Sequence, residues 1–194
     1  MPLPLLLIAA VWLGGCDAPP PPAPTQSSPT VRLLFDFDDA TDQWRVVNDG
    51  VMGGLSRGAY TVSEGVLTFS GTLVTRGGGF TSIRTPKRVD LSGFDGVELR
   101  VRGSGREFEV EVDDGTRFRR FRSVSRRAPF PTTANWQIVR VPFASLQSSV
   151  FGQRVRAPAI DPSQVQSFSL FIADGQDGPF RLDVDWIRAY RDDT

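Results

Sequence analysis

Short runs of alternating apolar and charged residues constrain the fold of this chain more than any other feature. In residues 97–102 three apolar residues alternate with three charged ones, and residues 107–112 repeat the pattern. A period of two places one set of side chains in a core and the other in water, as in half-buried β-strands. Frequent Gly and Pro breaks, with no long helical period, predict an all-β domain.

About ten short strands follow from this pattern. They are predicted at residues 33–38, 60–62, 66–69, 80–84, 97–101, 108–112, 118–124, 136–143, 168–173 and 180–190. We expect the two strands joined by Gly-Ser-Gly at 103–105 to pair as a hairpin. The number and length of the strands favour an antiparallel two-sheet jelly-roll sandwich, with a closed barrel as the alternative.

Composition excludes several kinds of chemistry. The 194 residues include no His and one Cys. Without His there is no Ser-His-Asp triad and no Cys-His pair, and one Cys supplies neither a thiolate cage nor an intrachain disulfide. The 22 Lys and Arg balance the 22 Asp and Glu, which argues against recruitment to nucleic acid by net charge. Carboxylate chemistry, oxygen-ligand metals or binding without chemistry remain.

The single Cys, Cys16, follows an apolar segment at residues 3–13 that is too short to span a bilayer as a helix. Residues 13–16, Leu-Gly-Gly-Cys, resemble the bacterial lipobox. That resemblance implies a lipoprotein signal peptide at 1–16, with Cys16 as the lipid-modified first mature residue. An ordinary signal with an incidental Cys is the alternative. The predicted location is the cell envelope, outside the cytoplasm, anchored by lipid to the inner or outer membrane.

The segment at 17–30 is rich in Pro and lacks large apolar side chains. This composition is typical of an extended, semi-rigid tether, and a Pro-rich ligand for a partner is the alternative. We assign residues 31–190 to one jelly-roll domain and residues 191–194 to a C-terminal tail.

The most distinctive segment is Asn-Asp-Gly-Val-Met-Gly-Gly at 48–54, which is followed by Phe-Ser-Gly at 69–71 and Gly-Gly-Phe-Thr-Ser-Ile-Arg at 78–84. These residues resemble the complex I intermediate-associated protein family, named for a mitochondrial assembly factor of respiratory complex I. Further matches at 91–97, 136–143 and 178–187 extend the resemblance over essentially the whole domain. It implies a galactose-binding-like jelly roll, a fold shared with many carbohydrate-binding modules. A role in complex I itself does not follow for a lipid-anchored bacterial protein.

This motif has a functional and a structural interpretation, which we hold equal. Adjacent glycines let a ligand approach the backbone, side-chain oxygens offer hydrogen bonds, and Trp44, Met52 and Phe80 offer an apolar platform. Alternatively, Asn-Asp-Gly is a tight turn, Met52 fills the core, and the glycines at 77–79 form a loop or bulge. The candidate binding surface comprises Asn48, Asp49, Met52, Gly53, Gly54, Ser56, Phe80 and Ser82.

Two pairs of acidic residues with a spacing of two each point to one face of a strand. Oxygen ligands from the first and last strands would suit a structural calcium ion. Solvated carboxylates or partners for nearby Arg are the favoured alternative, and a glycosidase pair would need a cleft and a raised pKa. The four residues are Asp36, Asp38, Asp183 and Asp185.

An arginine-rich segment follows the acidic strand at 107–113. It could bind an anionic surface such as phospholipid head groups. The favoured interpretation is pairing with the acidic strand across a ladder, at about 0.2–1 kcal/mol for each pair. Its members are Arg117, Arg119, Arg120, Arg122, Arg126 and Arg127.

The sequence therefore predicts a non-enzymatic, lipid-anchored protein that binds other membrane or envelope proteins as an assembly factor or chaperone-like module. No cofactor is expected beyond the calcium ion considered above, and a nucleic-acid partner is not expected. A carbohydrate-binding module for envelope polysaccharide is the alternative, and exposed aromatic rings on one sheet face would favour it. A carboxylate hydrolase is a weaker third class.

Overall fold

A computed structural model describes residues 31–38 and 43–192, which form two antiparallel sheets around one core. The predicted signal peptide, Cys16 and the tether lie outside the described residues. Within those residues no helix is long and apolar enough to cross a membrane. The prediction of an all-β, two-sheet sandwich is confirmed.

Fifteen strands make up the described part of the chain. They are β1 (Val31–Phe35), β2 (Arg45–Asn48), β3 (Arg57–Ser63), β4 (Val66–Leu73), β5 (Thr81–Val89), β6 (Gly96–Gly103), β7 (Glu107–Asp113), β8 (Arg117–Phe118), β9 (Arg122–Ser123), β10 (Ser125–Pro131), β11 (Gln137–Pro142), β12 (Gln147–Val150), β13 (Gln153–Arg154), β14 (Val165–Ile172) and β15 (Gly178–Tyr190). Short 3₁₀ turns lie at Asp49–Met52, Phe143–Ser145 and Pro162–Gln164.

The strands are distributed over two large sheets and one small one. The six-stranded sheet has the order β11-β6-β15-β4-β3, and β1 pairs with the C-terminal end of β15. The seven-stranded sheet has the order β13-β12-β10-β7-β14-β5-β2. A separate ribbon pairs β8 with β9. The two large sheets pack their apolar faces together, which is the jelly-roll arrangement.

The predicted hairpin at residues 103–105 is wrong. β6 pairs with β11 and β15, whereas β7 pairs with β10 and β14 in the opposite sheet. The apolar faces of both strands are completely buried, so crossing between sheets lets each face cover the other. A hairpin and a crossing of this length have the same alternating pattern, which is why the sequence does not distinguish them.

Four strands of the structure were not predicted from the sequence, and one segment predicted as a single strand contains two short strands. β2, β10, β12 and β13 are rich in polar residues or prolines, which weakens the alternating signal. The strand predicted at 118–124 is the β8–β9 ribbon with its turn. The first strand ends at Phe35 rather than at residue 38, because Phe37 has a positive φ of 62°.

The core contains two groups of aromatic rings. Phe69 packs edge-on against Phe180, with 5.0 Å between the ring centroids, and both contact Phe108. In the second group the ring of Phe35 packs against that of Trp44, with 5.4 Å between the ring centroids. Trp44 is buried there, so it is no part of an exposed apolar platform.

Candidate functional site

The segments with the Asn-Asp-Gly-Val-Met-Gly-Gly and Gly-Gly-Phe motifs form two loops beside one edge of the seven-stranded sheet. The first loop, residues 49–56, follows β2 and begins with the 3₁₀ turn, which ends at Gly53 with a φ of 84°. The second loop, residues 74–80, joins β4 to β5. Positive φ is readily adopted by glycine, which explains that residue at the end of the turn. We call these two segments the Asp49 loop pair.

The side chain of Asp49 holds the loop pair together. Its carboxylate accepts hydrogen bonds from the hydroxyl of Ser56 at 2.7 Å and from the backbone amide of Ser56 at 3.1 Å. It also accepts from the amides of Gly79 at 2.7 Å and Phe80 at 3.3 Å. Asp49 and Ser56 are completely buried. A buried carboxylate is stable only with such donors, so this aspartate organises the loops.

Two glycines are required by the position of this carboxylate. A Cβ added at Gly54 would lie 2.1 Å from the Asp49 carboxyl carbon, and one added at Gly78 would lie 2.4 Å from a carboxyl oxygen. Gly50, in the same turn, has nothing within 4 Å of such an atom. The spacing of the motif is therefore explained by close approach of the backbone to Asp49.

The ionisation of Asp49 follows from the same contacts. Burial alone would raise the pKa of this carboxyl, but the hydrogen bonds from Gly79, Ser56 and Phe80 outweigh it and hold the pKa below its ordinary value. The group is therefore a stable anion near neutral pH. A low pKa, complete burial and four hydrogen bonds from the protein make Asp49 unsuited to act as a general acid or base.

The side chain of Asn48 also joins separate segments, because it accepts hydrogen bonds from β3 and from β5. Its side-chain oxygen accepts from the backbone amide of Gly58 at 3.0 Å and from the hydroxyl of Thr81 at 2.6 Å. Ser82 donates to the carbonyl of Val47 at 3.4 Å and is completely buried. These contacts join β2 to β3 and β5.

The structure brings the predicted surface residues together but buries several of them. Asp49, Gly54, Ser56 and Ser82 are buried, Asn48 and Phe80 are partly exposed, and Gly53 is exposed. Of Met52 only the backbone, at the end of the 3₁₀ turn, is described. The binding surface stays a prediction, and the buried side chains could contribute to it only by shaping the loops.

The acidic pair on β15 is engaged by arginines. Asp183 is nearly buried and accepts from Arg102 at 2.8 Å, and Asp185 lies 2.5 Å from Arg100. Hydrogen bonds and the nearby guanidinium groups hold the pKa of Asp183 below its ordinary value despite burial, which acts to raise it. Across residues 31–38 and 43–192, no group of three or more acidic or Cys side chains could hold a metal. Calcium at Asp36, Asp38, Asp183 and Asp185 stays a prediction.

A second polar surface, which the sequence did not indicate, lies on the outer side of the seven-stranded sheet. The Phe171 ring has the guanidinium carbons of Arg84 and Arg127 at 4.8 Å and 4.7 Å from its centroid, and Phe80 at 6.4 Å. Burial raises the pKa of Glu111, whose carboxylate accepts a hydrogen bond from the hydroxyl of Ser125. We call this surface the Phe171 face. Its only sequence signal is the alternation of acidic and apolar residues on β7.

The arginine-rich segment is divided between two environments. Arg127 pairs with Glu109 at 2.8 Å across the β7–β10 ladder, as expected for cross-strand pairing. Arg126 is buried and pairs with Asp114 at 3.1 Å. The remaining four, Arg117, Arg119, Arg120 and Arg122, lie on the β8–β9 ribbon without an acidic partner among the described residues. The cross-strand interpretation is wrong for these four, because the ribbon separates them from β7.

The fold is a jelly-roll sandwich, which is also the fold of carbohydrate-binding modules of known structure. The chain is similar to a family 11 carbohydrate-binding module of a cellulosomal cellulase from Clostridium thermocellum, with a TM-score of 0.60 and 15% identity. That likeness covers 84% of this chain and 95% of the module. An agarase is also similar, with a TM-score of 0.58 and 13% identity over 84% of this chain and 25% of the enzyme. At these identities the likeness shows the fold alone.

The amino-acid sequence assigns the chain to a family. Residues 33–184 match the model of the family described as complex I intermediate-associated protein 30, and the chain belongs to that family. The mitochondrial protein of that name from Mus musculus is 27% identical over 191 residues, covering 83% of this chain and 56% of the relative. The Drosophila melanogaster protein is 27% identical over 187 residues, covering 80% and 61%. The chain thus spans a little over half the length of these relatives, and the predicted family is confirmed.

The predicted lipid-anchored location in a cell envelope is wrong. The curated relatives from Mus musculus, Caenorhabditis briggsae and Drosophila melanogaster are named as mitochondrial proteins. The prediction depended on a four-residue pattern after a short apolar segment, which has little specificity.

Proposed function

We propose that the domain is a non-enzymatic protein-binding module that acts in the assembly of a larger protein complex, as an assembly factor or chaperone-like partner. The observation that carries this proposal is the family match over residues 33–184. The relatives are named for association with intermediates of complex I, which describes a protein partner in each case. Whether this chain has the same partner is part of the proposal.

The contact surface that we propose is the exposed rim of the Asp49 loop pair. Gly53, Arg76 and Gly77 are exposed, and Leu55 has 59% of its surface in contact with solvent. An exposed apolar side chain beside accessible glycine backbone suits a protein partner, because it supplies both an anchor and hydrogen-bonding groups. Asp49 contributes indirectly, since its four hydrogen bonds fix the shape of this rim.

Carbohydrate binding is the second candidate, favoured by the likeness of the fold to carbohydrate-binding modules. A sugar needs an aromatic ring with one open face. On the two sheets, however, Phe171 is covered by Arg84 and Arg127, and the guanidinium of Arg188 lies 3.9 Å from the Trp186 ring centroid. These guanidinium groups compete with a sugar for the same ring faces. On the sheet faces this arrangement supports protein binding over sugar binding, and the exposed rings of Phe121 and Phe151 lie in turns rather than on a sheet face.

A catalytic role has less support. Asp49 is a buried anion that accepts four hydrogen bonds from the protein, and the Glu111 side chain is 8% exposed beneath Arg127. Neither carboxyl is placed where it could meet a substrate without rearrangement of the side chains around it. We therefore keep a binding function in the proposal.

Site-specific crosslinking tests the proposal. A photoreactive amino acid is placed at Leu55, and the matched control is Ile138 on β11, which is also 59% exposed. We expect crosslinks at position 55 to subunits or intermediates of one membrane-associated complex, and we expect none of these at 138. Leu55→Ser should reduce the yield of the same complex at least tenfold in a quantitative pull-down, as expected for an interface anchor.

Equal crosslinking at positions 55 and 138 would contradict the proposed surface. The sugar alternative is tested by calorimetric titration with a β-1,3-1,4-mixed-linked tetrasaccharide, the ligand of a similar carbohydrate-binding module. Binding of that sugar, lost in Phe171→Ala but retained in Leu55→Ser, would replace the proposed function with the second candidate.

A further inference from the structure

The β8–β9 ribbon and the turn between edge strands β12 and β13 of the seven-stranded sheet expose two aromatic rings and four arginines. Phe121, in the turn of the β8–β9 ribbon, is 88% exposed, and Phe151, in the turn between β12 and β13, is 85% exposed. These are the most exposed large apolar side chains of the described residues. Arg117, Arg119, Arg120 and Arg122 on the ribbon are also exposed. We call these six residues the Arg–Phe tip.

The two turns form one surface. The guanidinium carbon of Arg122 lies 5.5 Å from the centroid of the Phe151 ring, which joins the ribbon to the β12–β13 turn. Between the turns lies a recess of about 250 Å³ lined by Phe118, Arg122, Val150, Phe151, Gln153 and Val155. The tip is therefore a continuous patch of apolar and cationic groups rather than two unrelated loops.

The charge of this region is strongly one-sided. Residues 115–160 contain nine Arg and no Asp, Glu or Lys. Three of these arginines, Arg126, Arg127 and Arg140, pair with acidic residues elsewhere in the fold. Among the described residues, no salt bridge neutralises the four arginines of the tip or the nearby Arg154 and Arg156. Although the net charge of the chain is zero, positive charge is concentrated in this region and would attract an anionic surface.

The backbone of the tip carries these side chains in an unfavourable conformation. Phe151 has a φ of 51°, and Arg119 and Arg120 have φ values of 48° and 68°. Tight turns of this kind normally use Gly, Asn or Asp at positive φ, because a larger L-residue is strained there. A bulky aromatic or cationic residue held in that conformation and exposed to water contributes nothing evident to the core. The strain therefore points to a use for these side chains at the surface.

We propose that the Arg–Phe tip binds the surface of an anionic phospholipid bilayer. The two phenylalanine rings insert between head groups, and the arginines bind lipid phosphates. A flat anionic surface fits rings that project from the ends of two turns. A nucleic-acid strand would instead need a platform along which successive bases stack. This contact is independent of any N-terminal lipid and of the protein-binding rim.

Vesicle sedimentation of the full chain is the first test. We expect binding to vesicles of phosphatidylcholine with phosphatidylglycerol, weaker binding to phosphatidylcholine alone, and a loss of binding as salt is raised. Replacing Arg119 and Arg120 with Gln should weaken binding roughly 25-fold, at about fivefold for each charge near the membrane. The double variant Phe121→Ser with Phe151→Ser should weaken it by more than about tenfold. The matched control, Leu33→Ser with Ile138→Ser, removes exposed apolar side chains outside both the tip and the rim and should bind like the parent.

A single-site probe reports the tip directly, whatever the N-terminal segment contributes to binding. In a Cys16→Ser background, an environment-sensitive fluorophore is attached to Phe121→Cys or, as control, to Ile138→Cys. Anionic vesicles should shift the emission to the blue at 121 and leave it unchanged at 138. The fluorophore experiment remains informative if a double variant fails to fold, because each labelled protein has only one substitution in the tip or at the control site.

Equal binding to neutral and anionic vesicles, unchanged binding of both tip variants, or an unshifted probe at 121 would each overturn the proposal. A polyuridine oligonucleotide is the comparison ligand. Tip-dependent binding of that RNA without vesicle binding would assign the patch to nucleic acid instead and would also overturn the proposal.

Discussion

The carboxylate of Asp49 accepts a 2.7 Å hydrogen bond from the backbone amide of Gly79, thirty residues further along the chain. This contact joins the turn after β2 to the loop before β5, and the amide and hydroxyl of Ser56 complete the set of donors together with the amide of Phe80. The most distinctive motif of the sequence is thus a clamp between two loops. Any partner meets the shape that the clamp imposes rather than the carboxylate itself.

The first prediction concerns this clamp. Asp49→Asn keeps the size of the side chain but replaces an acceptor oxygen with an amide donor that faces other donors. We expect the free energy of unfolding to fall by about 2–4 kcal/mol, because buried donors lose their acceptor. Denaturant titration measures it. The control Asp36→Asn lies at an exposed site and should change stability by no more than about 0.5 kcal/mol. Equal effects of the two substitutions would contradict the clamp.

The second prediction uses the close approach of Gly54 to the same carboxylate. Gly54→Ala places a methyl group where the Asp49 carboxyl group already lies, so we expect a loss of about 1–3 kcal/mol. Gly50→Ala, in the same turn and with open space around it, should have a much smaller effect. A double-mutant cycle locates the cause. In an Asp49→Ala background the additional effect of Gly54→Ala should fall by at least half. An unchanged effect would mean that the alanine is disfavoured for another reason.

The third prediction is the pH dependence of the clamp. Hydrogen bonding lowers the pKa of Asp49 in the folded state, so near pH 3.8 the unfolded chain binds more protons than the folded chain. Stability from this group is therefore fully present above that pH and is lost as the pH falls toward the lower folded pKa. Unfolding measured from pH 6 to about pH 2.5 should show the difference between parent and Asp49→Asn shrinking at the acid end. A constant difference would show that ionisation is not involved.

Sequence patterns predicted local structure better than the pairing of distant segments. The alternation at 97–102 and 107–112 correctly indicated strands, but it assigned them to one hairpin although they lie in opposite sheets. Arg127 was expected to pair with the acidic strand and does so. Four neighbouring arginines do not, because the β8–β9 ribbon carries them away from that strand. Periodicity reports which side of a strand is apolar and carries no information on which sheet it joins.

The candidate site shows the same limit. The Asn-Asp-Gly-Val-Met-Gly-Gly run was recognisable by its residues, and a tight turn was one of two interpretations. The burial of Asp49 depends on donors that a distant loop supplies, at Gly79 and Phe80. The glycines at 54 and 78 are evident in the sequence. Glycine is needed at both positions because the backbone there lies against the carboxylate of Asp49. The sequence does not show this requirement, because it arises from contacts between two loops that are distant in the chain.

The last prediction concerns the buried pair formed by Arg126 and Asp114. The guanidinium is 2% exposed and donates to Asp114 at 3.1 Å, to the carbonyl of Pro158 at 2.8 Å and to the hydroxyl of Ser148 at 3.1 Å. Arg126→Gln leaves a buried carboxylate without its cation, so we expect a loss of about 3–5 kcal/mol. The control Arg154→Gln removes an exposed arginine and should be nearly neutral.

The double variant Asp114→Asn with Arg126→Gln separates the charge from the packing. It has no uncompensated buried charge, so its loss should be smaller than the sum of the two single losses by at least about 1 kcal/mol. The folded-state pKa of Asp114 lies below its ordinary value, because hydrogen bonds from the Asp161 amide and from Arg126 outweigh burial. Without Arg126 this pKa should rise, and the deficit of Arg126→Gln should then narrow as the pH falls and protonation neutralises the carboxyl group. Strict additivity and a deficit independent of pH would together show that Arg126 acts through its packing alone.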